Sequence, residues 1–568
     1  MKIKELNFFD DYLMTVQFEL DGDEYVGSLV IGKSKAPTLQ IKTNNPVILF
    51  DERRFIASPI TCKEVGTGKV YRLHDSSLWR GVIYSEFVES IIIDAGNHDF
   101  YDLIEISLTG ISEQCESWRT YELSQDEFKR ELGVDKFSIE FSFKGNGYRI
   151  NNTRNVSVEQ RGLAEQVIKI QDGFVIKKIN AGFSLNEIKD LAQEIRNLFS
   201  LIFGGALSIR SICLSSSLNK GFYSSLIFPC ITYNPNPMGS IRQAICDFSN
   251  IFRWQLWDTI FNNYFSKKSF REIWCRIVPS LSDKLIGYWE HNILSVVVTL
   301  EMYCELISKG HGHKLNTVQF NALKEQLTEV LTNFEKTEEL SVDDISLIHN
   351  LAGAIKQLKN TSHATLQNKY DFLMERTSLQ IRDVIGFSEV DFNIIKKLRN
   401  SVAHGTMYKT VEEGEITKEL EIKDKLLVLL MYFVFNELGF SDIQIAQLFD
   451  RTRNEIIMRA GLNEKARDRI TGNAKFITLA GMANIDGLKY YQPIVIIYNQ
   501  DGDEYHLDDR LTHKTQNEWH NSGFSDIRDF VKSLISKDQY SELEYLNKIY
   551  LVLQGQEHLF MGAILLTK

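Results

Sequence analysis

The stretch IIKKLRNSVAHG, residues 394–405, has the residue pattern that most clearly predicts a helical core in this sequence. On a helix of about 100° per residue, one apolar stripe consists of Ile395, Leu398 and Val402. The opposite face carries Lys397, Asn400 and His404. Gly405 follows as a natural stop, because a left-handed residue closes the last helical turn. The stretch therefore predicts an amphipathic helix with one side in a core and the other facing solvent.

Two side chains of this helix suggest chemistry. His404 falls in the last turn, where the negative end of the helix dipole favours the imidazolium. Arg399 lies about 140° around the helix from His404, so only its length lets it reach the same place. An imidazole and a guanidinium together form an acid–base and anion-binding pair. The alternative interpretation is a helix end capped by a histidine, with solvated cations on its outer face.

The segment LRNSVAHG, residues 398–405, resembles the Arg-Asn-x3-His-Gly signature of HEPN ribonucleases, and most closely the Apea-like branch of bacterial anti-phage proteins. The resemblance covers residues 245–440 and is weaker over the first 235. It implies a cytoplasmic bacterial endoribonuclease of the abortive-infection type that acts as a homodimer, with both Arg/His motifs in one cleft. It also implies tRNA anticodon loops as the substrate and a phage-derived trigger.

The reaction expected at such a site follows from its donors, which are a histidine, a guanidinium and an amide. His404 would move protons, Arg399 would stabilise the phosphate, and Asn400 would orient either of them. The RNA's own 2′-hydroxyl would attack, leaving 2′,3′-cyclic phosphate and 5′-hydroxyl ends without a metal or any other cofactor. The alternatives are a non-catalytic HEPN-like helical scaffold and a sensor module that binds RNA without cutting it.

The composition limits the class of protein. The chain has 568 residues, which predicts about two to four domains. Its net charge of −11 argues against a protein that coats nucleic acid, so any RNA site must be a local basic patch. The seven cysteines are scattered, which is typical of a reducing cytoplasm. The apolar runs are too short to span a bilayer, and we expect no membrane association.

Residues 1–235 are predicted to form an antiparallel β domain that carries one helix. Alternating apolar residues before and after the Asp21-Gly22 turn predict a hairpin. Ser184 and Glu187 form a capping box that begins the helix, and Gly204 ends it. The breaker cluster at 234–239 marks the first domain boundary. A sensing or regulatory role for this domain is a hypothesis drawn from the resemblance.

Residues 241–472 are predicted to form an all-α helical bundle of the HEPN type. Helices are expected at 281–309, 318–334, 343–359, 367–385, 390–404 and 418–438. Glu301 is a candidate supporting residue for the Arg/His pair, although a solvated pair with Glu305 is the alternative. Trp254 and Trp257 are expected in the core, with stacking on RNA bases as the alternative.

The window 451–469 is the most basic part of an acidic chain, with six cations against three acidic residues. Arg451 and Arg453, together with Lys396 and Lys397, are therefore candidate contacts for the RNA backbone. The alternative is that these cations form salt bridges on helix faces.

The remaining segment, 473–568, is predicted to be a small α+β domain of unknown role. Strands are expected at 488–498, 548–554 and 559–566, with a helix at 526–536. No metal site is expected. The pair His311 and His313 has no acidic or cysteine partner nearby in the sequence, and a plain loop is the favoured interpretation.

Overall fold

The computed structural model describes most of the chain. The described residues are 6–32, 34–42, 52–91, 101–112, 121–123, 128–130, 137–161, 165–215, 224–233, 241–282, 289–308, 315–358, 360, 365–406, 408–410, 416–481, 484–536 and 539–568. The boundary cluster at 234–239 and the histidines 311 and 313 lie outside them.

The N-terminal part consists of antiparallel strands and one long helix, as predicted. The strands are β1 Tyr12–Leu20, β2 Asp23–Ile31, β3 Thr38–Ile41, β4 Arg54–Ile56, β5 Ile60–Glu64, β6 Val70–Trp79, β7 Val82–Ile91, β8 Leu103–Leu108, β9 Tyr121–Leu123, β10 Phe128–Arg130, β11 Ser138–Phe143, β12 Asn146–Arg161, β13 Glu165–Lys178, β14 Ile209–Ser215 and β15 Ser224–Ile227. The helix is α1 Leu185–Phe203.

Six of these strands close into a ring, in the order β7-β3-β2-β1-β5-β6, because β6 also pairs with β7. The other side of β7 pairs with β15, and the sheet continues through β14, β8, β13 and β12 to β11. The hairpin predicted at Asp21-Gly22 is confirmed, since both residues have positive φ and Leu20 pairs with Asp23. Alternating burial along β1 reflects the period of two of a strand with one face in a core.

The helix α1 begins at the predicted capping box. The Ser184 hydroxyl accepts from the Glu187 N–H, and the Glu187 carboxylate accepts from the Ser184 N–H. Gly204 ends the helix at φ 66°. A Cβ at Gly204 would lie 2.3 Å from Ile245 Cδ1, so the helical part of the chain approaches α1 too closely for any side chain there.

The described residues between 241 and 472 are mainly helical, as predicted. The helices are α2 Phe248–Arg253, α3 Trp257–Ser266, α4 Lys268–Trp274, α5 Trp289–Ile307, α6 Thr317–Thr337, α7 Val342–Gln357, α8 Leu366–Arg376, α9 Leu379–Ile385, α10 Glu389–Ala403, α11 Thr417–Leu438, α12 Asp442–Arg451, α13 Glu455–Arg459 and α14 Glu464–Thr471.

Two of the predicted helices differ from the structure. The helix expected at 281–309 is described only from Trp289, because 278–281 form a short 3-10 turn and 283–288 lie outside the described residues. The helix expected at 367–385 is broken into α8 and α9. Thr377 is extended, and the Ser378 hydroxyl accepts from the Ile381 N–H, so Ser378 starts a new helix. A serine that caps backbone N–H groups competes with helix continuation, and here the cap prevails.

One hydrophobic core joins the strands to the helices and extends from Leu6 to Ala460. The contact is aromatic. Ring centroids lie 4.3 Å apart for Phe141 and Phe265, and 4.5 Å apart for Phe137 and Trp257. The predicted boundary near residue 235 therefore separates strands from helices without dividing the core. The expectation that Trp257 packs in the core is confirmed, since it is 6 % exposed.

In the described residues of the C-terminal part, two small sheets are combined with two α-helices. Its elements are β16 Lys475–Thr478, β17 Ile494–Asn499, β18 Glu504–Leu507, α15 Asp509–Glu518, α16 Ile527–Leu534, β19 Glu542–Leu546, β20 Ile549–Leu553, β21 Gln556–Phe560 and β22 Ala563–Thr567. The sheets are β16-β20-β21 and β18-β17-β22-β19, with their own core clusters. The strand expected at 559–566 is two strands, separated by Gly562 at φ 148°.

No helix among the described residues is both long and apolar enough to cross a bilayer.

Candidate functional site at the C-terminal end of α10

The helix α10 is specified by local sequence at both ends. Ser388 and Asp391 form a capping box at its start. At its end the His404 N–H donates to the Asn400 carbonyl at 3.0 Å, and Gly405 has φ 65°. The Thr406 N–H then donates to the Ser401 carbonyl at 2.9 Å, which satisfies another terminal carbonyl. His404 is thus the C-cap residue, where the helix dipole favours positive charge.

One side of α10 is buried and fixes its rotation. Phe392, Ile395 and Leu398 are at most 1 % exposed, and Phe392 stacks on Tyr370 of α8 with ring centroids 4.0 Å apart. The same side packs on α5 and α11. The apolar stripe predicted from the sequence is therefore the packed side, although Val402 at its end is only half-buried.

The opposite side of α10 exposes the polar residues that the sequence placed there. Lys397, Asn400 and His404 are exposed, and Lys396 is half-buried. The His404 imidazole has no hydrogen-bond or ion-pair partner among the described residues. The imidazole is therefore accessible from solvent.

Arg399 lies between two oxygen acceptors. Its Nη2 is 3.4 Å from Glu301 Oε2, and its Nη1 donates to Asn400 Oδ1 at 3.2 Å. About a third of each charged side chain is exposed, 35 % for Arg399 and 30 % for Glu301. The structure thus brings together Arg399, Asn400 and the predicted supporting residue Glu301, which lies 98 positions earlier in the chain. A guanidinium has five N–H donors, and these two contacts use two of them.

The i, i+4 spacing of Glu301 and Glu305 suggested a solvated pair of carboxylates, but Glu305 contacts a lysine. It forms an ion pair with Lys369 on α8, one turn further along α5 than Glu301. A solvated Glu301–Glu305 pair was the alternative from the sequence, and each carboxylate instead has its own cation. Nothing in the sequence marks Lys369, because only the packing of α8 on α5 brings it there.

A cleft of about 530 Å³ lies beside this pair. Its walls carry Glu272, Glu301 and Glu305 with Lys369 as the described cation, and the apolar part comes from Ile273, Met302 and Leu306. Glu272 lies 3.8 Å from Lys268, so each of the three carboxylates faces a cation. On the exposed side of α10, Lys397 lies on the same side as Asn400 and His404, so an anion can approach there.

The chain beyond Gly405 is tied back to the bundle by Tyr408. Its hydroxyl donates to Glu419 at 3.2 Å, and its ring contacts Trp289 edge-on. Burial and the nearby Glu419 carboxylate raise the pKa of Tyr408 to about 12, so the phenol stays protonated as a donor. This tie holds the turn that carries His404 close to the starts of α5 and α11.

Most cations of the basic window form salt bridges. Arg459 contacts Asp424 at 2.8 Å, and Arg467 contacts Asp450 at 2.9 Å. Lys465 and Arg469 both contact Glu557 in the C-terminal part. For these four residues the salt-bridge alternative is confirmed.

Arg451 and Arg453 are exposed, and they lie beside a third arginine that sequence reasoning missed. The Arg453 N–H donates to the carbonyl of Arg242 at 2.6 Å, and the Thr452 hydroxyl also contacts that carbonyl. Arg242 is exposed as well. The three form a basic patch at the join between the β and helical parts.

No group of three or more His, Cys, Asp or Glu side chains with metal-binding geometry occurs in the part of the chain that the structure describes.

Comparison of the chain with protein-family models, with curated proteins and with solved structures yields no match.

Proposed function

We propose that this chain is a metal-independent endoribonuclease of the HEPN type, with Arg399, Asn400 and His404 as its catalytic residues. The observation that carries the proposal is the end of α10, where an exposed imidazole, without a hydrogen-bond partner in the described part of the chain, follows a guanidinium oriented by Glu301 and Asn400. A carboxylate that orients a phosphate-binding arginine is a recurrent arrangement for stabilising developing negative charge.

The chemistry needs one proton acceptor, one proton donor and one group that stabilises charge. The 2′-hydroxyl loses its proton to a base and forms a bond to phosphorus, while the bond to the 5′-oxygen breaks and that oxygen gains a proton. Arg399 binds the non-bridging oxygens as negative charge builds up on them. The products carry a 2′,3′-cyclic phosphate and a 5′-hydroxyl.

A single His404 supplies only one of the two proton transfers at a time. The proposed enzyme is therefore a homodimer in which the His404 residues of two copies serve as acid and base. Lys396 and Lys397 border the shared groove. RNA is bound in a single-stranded loop, where bases are splayed and the 2′-hydroxyl can reach an in-line position. A tRNA anticodon loop is the substrate that the family resemblance favours, in abortive infection with a phage-derived trigger.

The test is cleavage of tRNA by the purified chain in the presence of EDTA. We expect 2′,3′-cyclic phosphate ends for the wild type and a loss of at least a hundredfold for His404→Ala and Arg399→Ala. His506→Ala is the matched control, because His506 is a half-exposed histidine in the C-terminal part. RNA from cells under phage challenge is sequenced in parallel, since the enzyme is expected to be silent without its trigger.

Two results would refute the proposal. One is a His404→Ala variant that cleaves as fast as the wild type. The other is a wild type that leaves all RNA intact both in vitro and in phage-challenged cells, with growth identical to that of the variant.

A second candidate function is RNA binding without cleavage, which the exposed patch of Arg242, Arg451 and Arg453 favours. Binding that depends on this patch while the RNA stays whole would support a sensor or scaffold instead.

A further inference from the structure

The helices α6 and α7 form a hairpin that projects from the helical part. They pack on each other, and no other element packs closely on either of them among the described residues. Their bases are joined by Asn360, which exchanges two hydrogen bonds with the backbone of Leu315. None of the hairpin's described side chains belongs to the main core.

The apolar side chains of this hairpin point away from it. On α6 a stripe at spacing i, i+4, i+7, i+11 consists of Leu323, Leu327, Val330 and Phe334, which are between 37 and 64 % exposed. On α7 the same spacing gives Leu347, Leu351, Ala354 and Leu358, whose three leucines are 47 to 58 % exposed. We call these two stripes the outer seam. Ile348 is the one large apolar side chain of α7 that is buried among the described residues.

The side of α6 that faces α7 is partly polar. Lys324 donates to the carbonyls of Lys356 and Leu358, and Glu335 contacts His349 at 3.2 Å. The helix thus uses polar groups as well as the half-buried Leu331 for its contact within the hairpin, and it leaves Leu323 and Leu327 exposed. A two-helix hairpin of this kind gains little stability from its own packing, because most helical stability comes from burying an apolar face. The outer seam is suited to further helices.

The size and spacing of the outer seam match a helix bundle. Its large apolar side chains expose several hundred Å² of surface, comparable with the ~800 Å² that each partner contributes to a standard interface. Repeats of i, i+4, i+7, i+11 are the seam pattern of packed helices. Both helices of the hairpin carry it, so a second hairpin completes a four-helix bundle.

The charges point to a second copy of the same chain in antiparallel orientation. Residues 335–344 at the tip contain five acidic residues and one lysine. Lys356 is exposed near the base. A two-fold axis across the middle of the hairpin places each acidic tip beside the base of the other copy. A parallel arrangement would instead bring the two acidic tips together, which like-charge repulsion opposes.

We propose that two copies of this chain pair through the outer seam of α6 and α7, as an antiparallel four-helix bundle. The inference goes beyond the proposed ribonuclease activity and does not depend on it. Pairing here would join the two chains through a segment that connects α5, which carries Glu301, to α8.

The test is the mass of the purified full chain, measured by light scattering after size exclusion at micromolar concentration without RNA. We expect twice the chain mass of 65.5 kDa for the wild type. Leu327→Glu and Leu351→Glu should each give the single-chain mass. Thr332→Glu is the matched control, because it places the same charge on an exposed position of α6 away from the seam. Circular dichroism checks that each variant is folded.

A second measurement uses the wild type alone. Amide hydrogen exchange in 317–337 should be slow at high concentration and accelerate at least tenfold when dilution separates the copies. A wild type that is monomeric at tens of micromolar overturns the proposal, whatever else the hairpin binds. So does a dimer that both glutamate variants leave intact. A dimer that cuts no RNA refutes only the ribonuclease. A monomer that cuts RNA refutes this pairing and also the shared two-histidine cleft of the proposed enzyme, while the cleavage activity itself stands.

Discussion

At the scale of single residues, Glu301 is what distinguishes Arg399 from a solvated surface arginine. Its carboxylate approaches one edge of the guanidinium while Asn400 accepts from another nitrogen. This leaves the side chain extended over α5 instead of free to rotate. In the proposed enzyme, the entropy cost of ordering this long side chain would therefore be met before RNA binds.

Replacing Glu301 by glutamine removes the charge that orients Arg399 and keeps the shape. We expect kcat for RNA cleavage to fall about tenfold while KM stays constant or decreases, since one anion no longer competes with the phosphate. Glu305→Gln is the matched control, because Glu305 lies one turn away on α5 and contacts Lys369 instead. Equal losses in both variants would show that Glu301 has no special connection to Arg399.

Gly439 and Gly386 both end helices in the left-handed conformation. Comparing alanine substitutions at the two positions separates the cost of backbone strain from the cost of steric crowding. At Gly439, with φ 107°, a Cβ would lie 2.6 Å from Thr259 Cγ2, whereas at Gly386, with φ 62°, it would meet nothing within 4 Å. We expect Gly386→Ala to lower the free energy of unfolding by about 1 kcal/mol and Gly439→Ala by about 3 kcal/mol. Urea unfolding measures both. Equal losses would contradict the assigned contact with α3.

At the scale of elements, the segment from α12 to α14 has two electrostatic roles. Its later cations hold acidic partners, and its earlier ones, Arg451 and Arg453, face solvent beside Arg242. We expect the double substitution Arg451→Glu, Arg453→Glu to weaken RNA binding at least tenfold and to reduce its salt dependence by about two phosphate contacts. Binding is measured by fluorescence anisotropy at several salt concentrations. Arg528→Glu, at an exposed arginine of the C-terminal part, serves as the control and should have little effect.

At the scale of the whole molecule, the described residues form one large shared core and a C-terminal part with its own smaller cores. The β and helical parts share one core, while the C-terminal part has separate clusters and meets α14 through polar contacts. Asp468 accepts from Lys548 and from the Tyr550 hydroxyl, and Glu557 binds Lys465 and Arg469. An ionic contact of this kind responds to pH more than an apolar one does.

Docking of the C-terminal part should weaken in acid. The hydrogen bond from Lys548 lowers the pKa of Glu464, and that from Lys465 lowers the pKa of Glu557. Groups with lowered pKa values stabilise the folded state above the ordinary carboxyl pKa, and this contribution is lost as pH falls through the lowered values. Calorimetry should therefore show a C-terminal transition that is constant from pH 7 to about pH 5 and shifts to lower temperature below about pH 4.

The double variant Glu464→Gln, Glu557→Gln tests the source of this pH dependence. It should lower the C-terminal transition at pH 7 and make it nearly independent of pH down to about pH 4. A transition that keeps its full acid sensitivity in this variant would place the responsible carboxylates elsewhere.

Local sequence was sufficient for much of this protein. The period of two along β1, the Asp21-Gly22 turn, the capping boxes at Ser184 and Ser388, and the stop at Gly405 are all set by residues within one turn or one hairpin. Such signals act over a few residues, so reading them requires no knowledge of the neighbours. They also placed Asn400 and His404 on the exposed side of α10.

The tertiary structure alone decided which distant residues meet. Glu301 forms an ion pair with Arg399, and Glu305 forms one with Lys369. The Arg453 N–H donates to the Arg242 carbonyl. These contacts form because whole faces of helices and sheets pack together to bury apolar surface. The exposure of Leu323 and Leu327 on α6 was decided in the same way, since a helical period does not say which side of a helix will be packed. The period of a helix or strand is set by its local backbone. Which residues pack against it depends on the burial of surfaces contributed by the entire chain.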